Sequence, residues 1–238
     1  MRAASYAERA LDVPVGVRAA MVVLGWIPAL HVVLTAAPLV VGIAHGDWRW
    51  AALSLAALFA VPPIVVRAIL VFRPLPGGRV ELASGAFLRW WATAQWQVVF
   101  ARWPWLEESL RLVPGLYSAW LRLWGARIGP LVYWSPGVVV LDRPLIRVGA
   151  RVAFGAGVRV APHVIAPGED GRGMLFVAPI SVGSDALVGA YSTLLPGCEV
   201  QDGEVTQPFR SVHAFSRIEH GRRIRVTHSP VKADADVG

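Results

Sequence analysis

A single histidine, His163, stands three residues ahead of a polar stretch, Ala166 to Ser181, that carries Glu169 and Asp170. An imidazole that is neutral near pH 7 can take the proton of an attacking hydroxyl or amine, a general-base contribution of about 10²–10⁴ in rate. Its second ring nitrogen needs an acceptor that fixes the tautomer, and Glu169, Asp170 or a backbone carbonyl could provide one. A developing oxyanion would need a backbone N–H or similar donor, which the sequence does not locate. Acyl transfer from a thioester is the chemistry such a set would support. A packing role for His163 stays open beside it.

The other chemically capable residues weigh less. Cys198 is the one cysteine, which excludes a disulfide framework, and it occupies a position that calls for a small buried side chain rather than a nucleophile. His213, His220 and His228 have no compact ligand spacing, so no metal is expected. His31 lies inside an apolar run with Pro28 and Pro38, where a neutral histidine bonded to a neighbouring helix is the favoured reading.

His163 belongs to a stretch, Arg127 to Thr206, in which short aliphatic units recur every six residues. Bulky leaders stand at Ile128, Trp134, Val140, Val148, Phe154, Val160, Val182, Val188, Leu194 and Val200, and glycine follows at 129, 149, 155, 183 and 189. Val, Ala, Ser or Cys sits four places after most leaders. A period of six fits neither a helix nor a simple alternating strand. It fits a triangular coil with three units per turn: leaders stack inward, small residues fill the interior, and glycine takes the tight corners. The repeat breaks twice. The step from Val140 to Val148 is eight residues, so two are extruded near Asp142 and Arg143, and the insert 166–181 is too polar and glycine-rich for the core and projects as a loop.

The pattern resembles the hexapeptide-repeat acyltransferases, whose fold is a left-handed parallel β-helix, an exception to the usual right-handed crossover. A closer resemblance, over about residues 85–215, is to the hexapeptide-repeat membrane module at the C-terminal end of poly-lysine-synthetase-type nonribosomal peptide synthetases. It is carried by Leu88-Arg89-Trp90-Trp91, by Leu116-Tyr117 leading to Leu121-Arg122-Leu123-Trp124-Gly125-Ala126-Arg127-Ile128-Gly129, by His163 with Glu169-Asp170, and by Pro179 to Gly197. The adenylation and carrier regions of those synthetases have no counterpart here. The acyltransferase resemblance implies a histidine projecting into a cleft between coils as general base, and His163 is the matching position. It also implies an acyl-CoA or acyl-carrier-protein co-substrate, with acetyl-CoA the simplest, no permanently bound cofactor, and a homotrimer.

Composition places this coil at a membrane. Of 238 residues 55% are hydrophobic and 16% charged, too apolar for an ordinary soluble domain of this length. The net charge of +7 comes mostly from arginine. With no recognisable nucleic-acid module, that excess reads as attraction to anionic membrane lipids. Ala19 to Ala44 carries no charge and exceeds the ~20 residues needed to cross a bilayer. A polar turn, His45 to Trp50, separates it from a second span, Ala51 to Phe72, with Arg67 near one end. Arginines 67, 73, 79 and 89 follow that span while the turn holds only Arg49, which puts both termini and the coil on the cytoplasmic side of the inner membrane.

The expected architecture is thus a membrane-anchored β-solenoid. A polar arm (1–18) leads to a two-helix transmembrane hairpin (19–72), then to a linker and Trp-rich interfacial helices (73–125). A short left-handed parallel β-helix (126–215) with the loop 166–181 follows, and a basic tail (216–238) closes the chain. Two functions follow from different classes. One is an integral-membrane acyltransferase that moves an acyl group, acetyl first, from CoA or a carrier-protein thioester to a hydroxyl or amine of a membrane-associated acceptor. The other is a non-catalytic assembly module of a biosynthetic complex.

Overall fold

The computed structural model describes residues 13–75, 77–168 and 172–225. Its C-terminal half is built of three parallel sheets visited in strict rotation. The first sheet takes β2 (Arg127–Ile128), β5 (Ile146–Val148), β10 (Ile180–Val182), β13 (Glu199–Val200) and β15 (Ser216–Glu219). The second takes β3 (Tyr133–Trp134), β6 (Ala153–Phe154) and β11 (Leu187–Val188), extended by a bridge from Leu187 to Val205. The third takes β4 (Val139–Val140), β7 (Arg159–Val160), β12 (Thr193–Leu194) and β14 (Ser211–Val212). A final strand, β16 (Arg222–Arg225), turns back antiparallel on β15.

The register explains the six-residue period. Ile128 pairs with Val148, Val148 with Val182, Val182 with Val200 and Val200 with Ile218, so each leader lies on the leader one turn away. All five are buried. Trp134 stacks flat on Phe154, with centroids 4.5 Å apart and planes at 4°. The small positions Val152, Val158, Ala186, Ser192 and Cys198 complete the interior. The glycines act differently from the expectation. A Cβ on Gly155 would lie 2.5 Å from the Ala190 nitrogen, so glycine is required there by the approach of neighbouring coils. Left-handed positions in the coil are taken by Leu131, Arg151, Asp185, Tyr191 and Phe209, with φ from 55° to 61°, and by other glycines, Gly137, Gly157, Gly197 and Gly203.

Four helical pieces precede the coil as two long apolar segments. α1 (Val15–Leu24) and α2 (Ile27–His45) form the first, of 31 residues and mean hydropathy 2.0; α3 (Trp48–Phe59) and α4 (Val61–Phe72) form the second, of 25 residues and 2.3. Both are long and apolar enough to cross a membrane, and little of either is buried against the protein. Gly46, at φ 65°, ends α2, and the Asp47 side chain caps α3 by accepting from Arg49 N at 3.0 Å. His31 sits between the segments as the sequence suggests. Its Nε2 lies 3.1 Å from the Leu58 carbonyl, beside the rings of Trp96 and Phe100.

A helical collar, α5 (Gly85–Gln95), α6 (Val98–Arg102), α7 (Trp105–Arg111) and α8 (Leu116–Leu123), joins these segments to the coil. Most of its tryptophans are turned inward. Trp90, Trp96, Trp120 and Trp124 are buried, whereas Trp103 and Trp105 are exposed. Trp120, Trp124 and Tyr117 cover the open first turn, where Tyr117 meets Trp134 edge to face at 5.3 Å. A repeat stack needs such a lid, because its terminal turn has no neighbour to bury it.

The insert after His163 is also more ordered than a projecting loop. β8 (His163–Pro167) and β9 (Gly173–Val177) form an antiparallel hairpin, and β9 pairs on its other edge with β1 (Gly78–Glu81), part of the stretch read as a linker. The reason is the apolar run Met174 to Val177 that follows the polar tip. Leu175 and Val177 are fully buried against Val80, Phe87 and Trp90.

Candidate active site

The eight-residue step that breaks the repeat creates the site. After β4 the chain bends through Asp142, whose backbone is left-handed (φ 40°, ψ 55°), into a short 3₁₀ turn, Arg143–Leu145. The expectation that these residues are extruded fails: Asp142 is 4% exposed and Arg143 1%. The collar folds over this side of the coil and encloses the extra residues. Because Val140 and Val160 are register partners, the positions just after them are neighbours too, and His163 at the start of β8 meets Asp142.

The contact is between His163 Nδ1 and Asp142 Oδ2. The other carboxylate oxygen, Oδ1, accepts the indole N–H of Trp90 at 3.0 Å. The Trp90 ring also packs against the imidazole, with centroids 4.8 Å apart and planes at 63°. A carboxylate only accepts, so Nδ1 carries the ring hydrogen and Nε2 presents its lone pair. That nitrogen has no hydrogen-bond partner among the described residues, and the side chain keeps 25% of its surface exposed. The arrangement holds the imidazole from behind and leaves Nε2 without a partner, the geometry that a general base requires.

The acid is itself held in place by a buried polar network. Gln97 Oε1 accepts from Arg143 N at 3.0 Å and from Arg143 Nη1 at 2.9 Å, while Gln97 Nε2 donates to Thr93 O. Thr93 in turn bonds Trp90 O, one turn back on α5. Arg143 pairs with Glu107, and its guanidinium lies about 5 Å from the rings of Phe100, Trp120 and Trp124. Glu107 also accepts from Tyr117 and Arg111. Burial, and then the Glu107 charge, push the Tyr117 phenol far above its ordinary range, so it acts only as a donor. Collar and coil are thereby locked around the Asp142 turn.

His163 thus stands where a site can form. Glu169 and Asp170, its expected acceptors, lie outside the described residues. Asp142 is the acceptor in the structure, held by a donated hydrogen bond from Trp90, and sequence reasoning missed both. The usable signal was register: one coil before His163 the repeat places an acidic residue at an irregular step. Cys198 faces the coil interior, and burial pushes its thiol up to about 12. Among the described residues no three His, Cys, Asp or Glu side chains gather as metal ligands would.

No family model matches the chain, and no curated protein does. Similar solved structures are acetyltransferases. A hexapeptide-repeat acetyltransferase of Vibrio cholerae, complexed with acetyl coenzyme A, is 15% identical over 59% of this chain and 92% of its own, with a TM-score of 0.39. A galactoside acetyltransferase in complex with coenzyme A is 15% identical over 51% and 79%, with a TM-score of 0.32. A maltose O-acetyltransferase of Clostridium difficile is 12% identical over 55% and 89%, with a TM-score of 0.28.

Proposed function

We propose that the protein is a membrane-bound acyltransferase in which His163 is the general base. The observation that carries this reading is the Asp142 carboxylate, occupied on one oxygen by Trp90 Nε1–H and on the other by His163 Nδ1, with Nε2 open. In the reaction, Nε2 removes the proton of an acceptor hydroxyl or amine as that atom attacks a thioester carbonyl. The C–S bond then breaks, and the thiol leaves with the proton that the imidazolium returns. The donor is an acyl-CoA, acetyl-CoA first, or a carrier-protein thioester. The acceptor is a hydroxyl or amine of a membrane-associated molecule, because two apolar segments flank the collar that holds the site. The coil is read as left-handed, and it faces the cytoplasm with both termini.

The same reading takes the working form to be a homotrimer. The outer face of the second sheet supports self-association, since Tyr133, Leu187 and Val205 expose 64%, 43% and 63% of their surface there.

The test uses full-length protein purified in detergent. Binding of acetyl-CoA and longer acyl-CoAs is measured by calorimetry, and thiol release by absorbance, for the native protein and His163→Ala. Binding by both, with thioester turnover reduced about 10²–10⁴-fold in the variant, is the expected result. Equal turnover would remove His163 from the chemistry and favour the assembly-module reading.

A further inference from the structure

On the outer face of the first sheet, Arg127 of β2 and Arg147 of β5 are direct register partners. Paired strands lie about 4.8 Å apart, so two guanidiniums are held side by side, an arrangement that is unfavourable without a counter-charge. Among the described residues neither arginine has an ion-pair or hydrogen-bond partner through its side chain. Next along the ladder from Arg147 is Ser181; the acid beyond it, Glu199, is already taken by Arg217 at 2.7 Å.

Arg127 also lines a concavity of about 620 Å³ between the coil and the second apolar segment. Two more arginines line it, Arg67 from α4 and Arg122 from α8, and no Asp or Glu does. These two are oriented by carbonyls: Arg67 Nη1 donates to Arg122 O at 3.2 Å, and Arg122 bonds the carbonyls of Ile128 and Gly129. Such bonds fix the guanidiniums without neutralising them.

Depth along the helix names the counter-ion. From Trp48, at the start of α3, to Arg67 the second segment rises about 28 Å at ~1.5 Å per residue. The hydrocarbon core of a bilayer is about 30 Å thick. If the Trp48 end lies at one interface, Arg67 reaches the headgroup layer of the other. On one side of the concavity is then a headgroup layer, and on the other Arg127; its ladder partner Arg147 shares with it the adjoining groove, where Glu199 and Asp202 stand at the far end.

We propose that Arg67, Arg122 and Arg127 bind the phosphate of an anionic membrane lipid at the junction of helix and coil, with Arg147 adding positive charge from the next rung of the ladder. This rests on the membrane-bound part of the reading above and not on acyl transfer. Guanidiniums suit the site because they present planar sets of donors to phosphate oxygens. The bound lipid ties the first turn of the coil to the bilayer surface.

The test is native mass spectrometry of the full chain released from detergent micelles containing phosphatidylglycerol, phosphatidylcholine, inorganic phosphate or CoA. Arg127→Gln/Arg147→Gln is compared with a charge-matched control, Arg159→Gln/Arg223→Gln, whose side chains are exposed elsewhere. Expected is preferential retention of phosphatidylglycerol by the native protein and the control, weakened about ten- to thirtyfold in Arg127→Gln/Arg147→Gln. Equal retention of the two lipids, or unchanged retention in that variant, would overturn the proposal. Displacement of the lipid by CoA or by millimolar phosphate would overturn it as well, by assigning the arginines to another phosphate. Retention does not depend on turnover, and pelleting of the native protein after a carbonate wash tests membrane insertion separately.

Discussion

At the scale of single residues, the site depends on which ring nitrogen of His163 carries the hydrogen. Asp142→Asn keeps the shape but offers an N–H where a lone pair is needed, so it favours the wrong tautomer. Thioester turnover is expected to fall about 10²–10⁴-fold, with acyl-donor affinity within a few-fold by calorimetry. Trp90→Phe removes one donor to the carboxylate and keeps the ring, and a loss of about tenfold in kcat is expected. Cys198 gives a pH dependence of another kind. Its thiol is pushed up to about 12 in the folded chain, against ~8.5 for an exposed thiol. The folded state therefore holds the proton more tightly, and stability falls as the pH rises above the unfolded value toward the folded one. Iodoacetamide at pH 8.5 should leave Cys198 unlabelled until the protein is unfolded in guanidinium chloride, with labelling followed by intact mass. Asp142 was hidden from sequence reading because a step of eight in a period of six looks like an outward bulge. Only the collar packing against that side turns it inward.

At the scale of elements, the stack of turns was legible because its leaders resume the same period after each of the two breaks, and Ile128, Val148, Val182 and Val200 do align. The role of the glycines was legible only in part, since sequence does not separate a need for positive φ from a need for space. Gly155→Ala tests the second. Its new Cβ would press on the Ala190 backbone, whereas nothing lies within 4 Å of a Cβ on Gly85. Gly155→Ala should cost about 1–3 kcal/mol and Gly85→Ala little, read from thermal or denaturant midpoints in detergent. β1 was not legible, because four residues after Pro and Gly carry no period of their own and gain their partner, β9, from far along the chain. The tryptophans left two readings open, membrane contact and a collar that caps the coil, for a related reason. An aromatic ring suits a bilayer interface and a protein lid equally well; contacts such as Trp120 Nε1 to Phe59 O at 2.9 Å show the lid.

At the scale of the whole molecule, apolar segments, collar and coil share one continuous core, which runs from Val66 through Phe100 and Trp124 to Ile218. A chain starting at residue 126 would expose the first turn of the coil and leave Arg143 without Glu107 and Gln97. The apolar leaders of that turn would then meet water, and the truncated coil is expected to label at Cys198 without denaturant. Light scattering of the full chain in detergent measures the proposed trimer directly, and a monomer would count against self-association through Tyr133, Leu187 and Val205. The small sheet that joins β1 to the His163 hairpin bears on ancestry as well. A recombination event that joined a repeat coil to a new membrane hairpin at the first repeat would leave the base in one parent and its indole clamp in the other. A breakpoint that keeps His163, the indole of Trp90 and β1 together has to fall before Gly78, so the unit inherited as one piece is longer than the repeat that makes it recognisable.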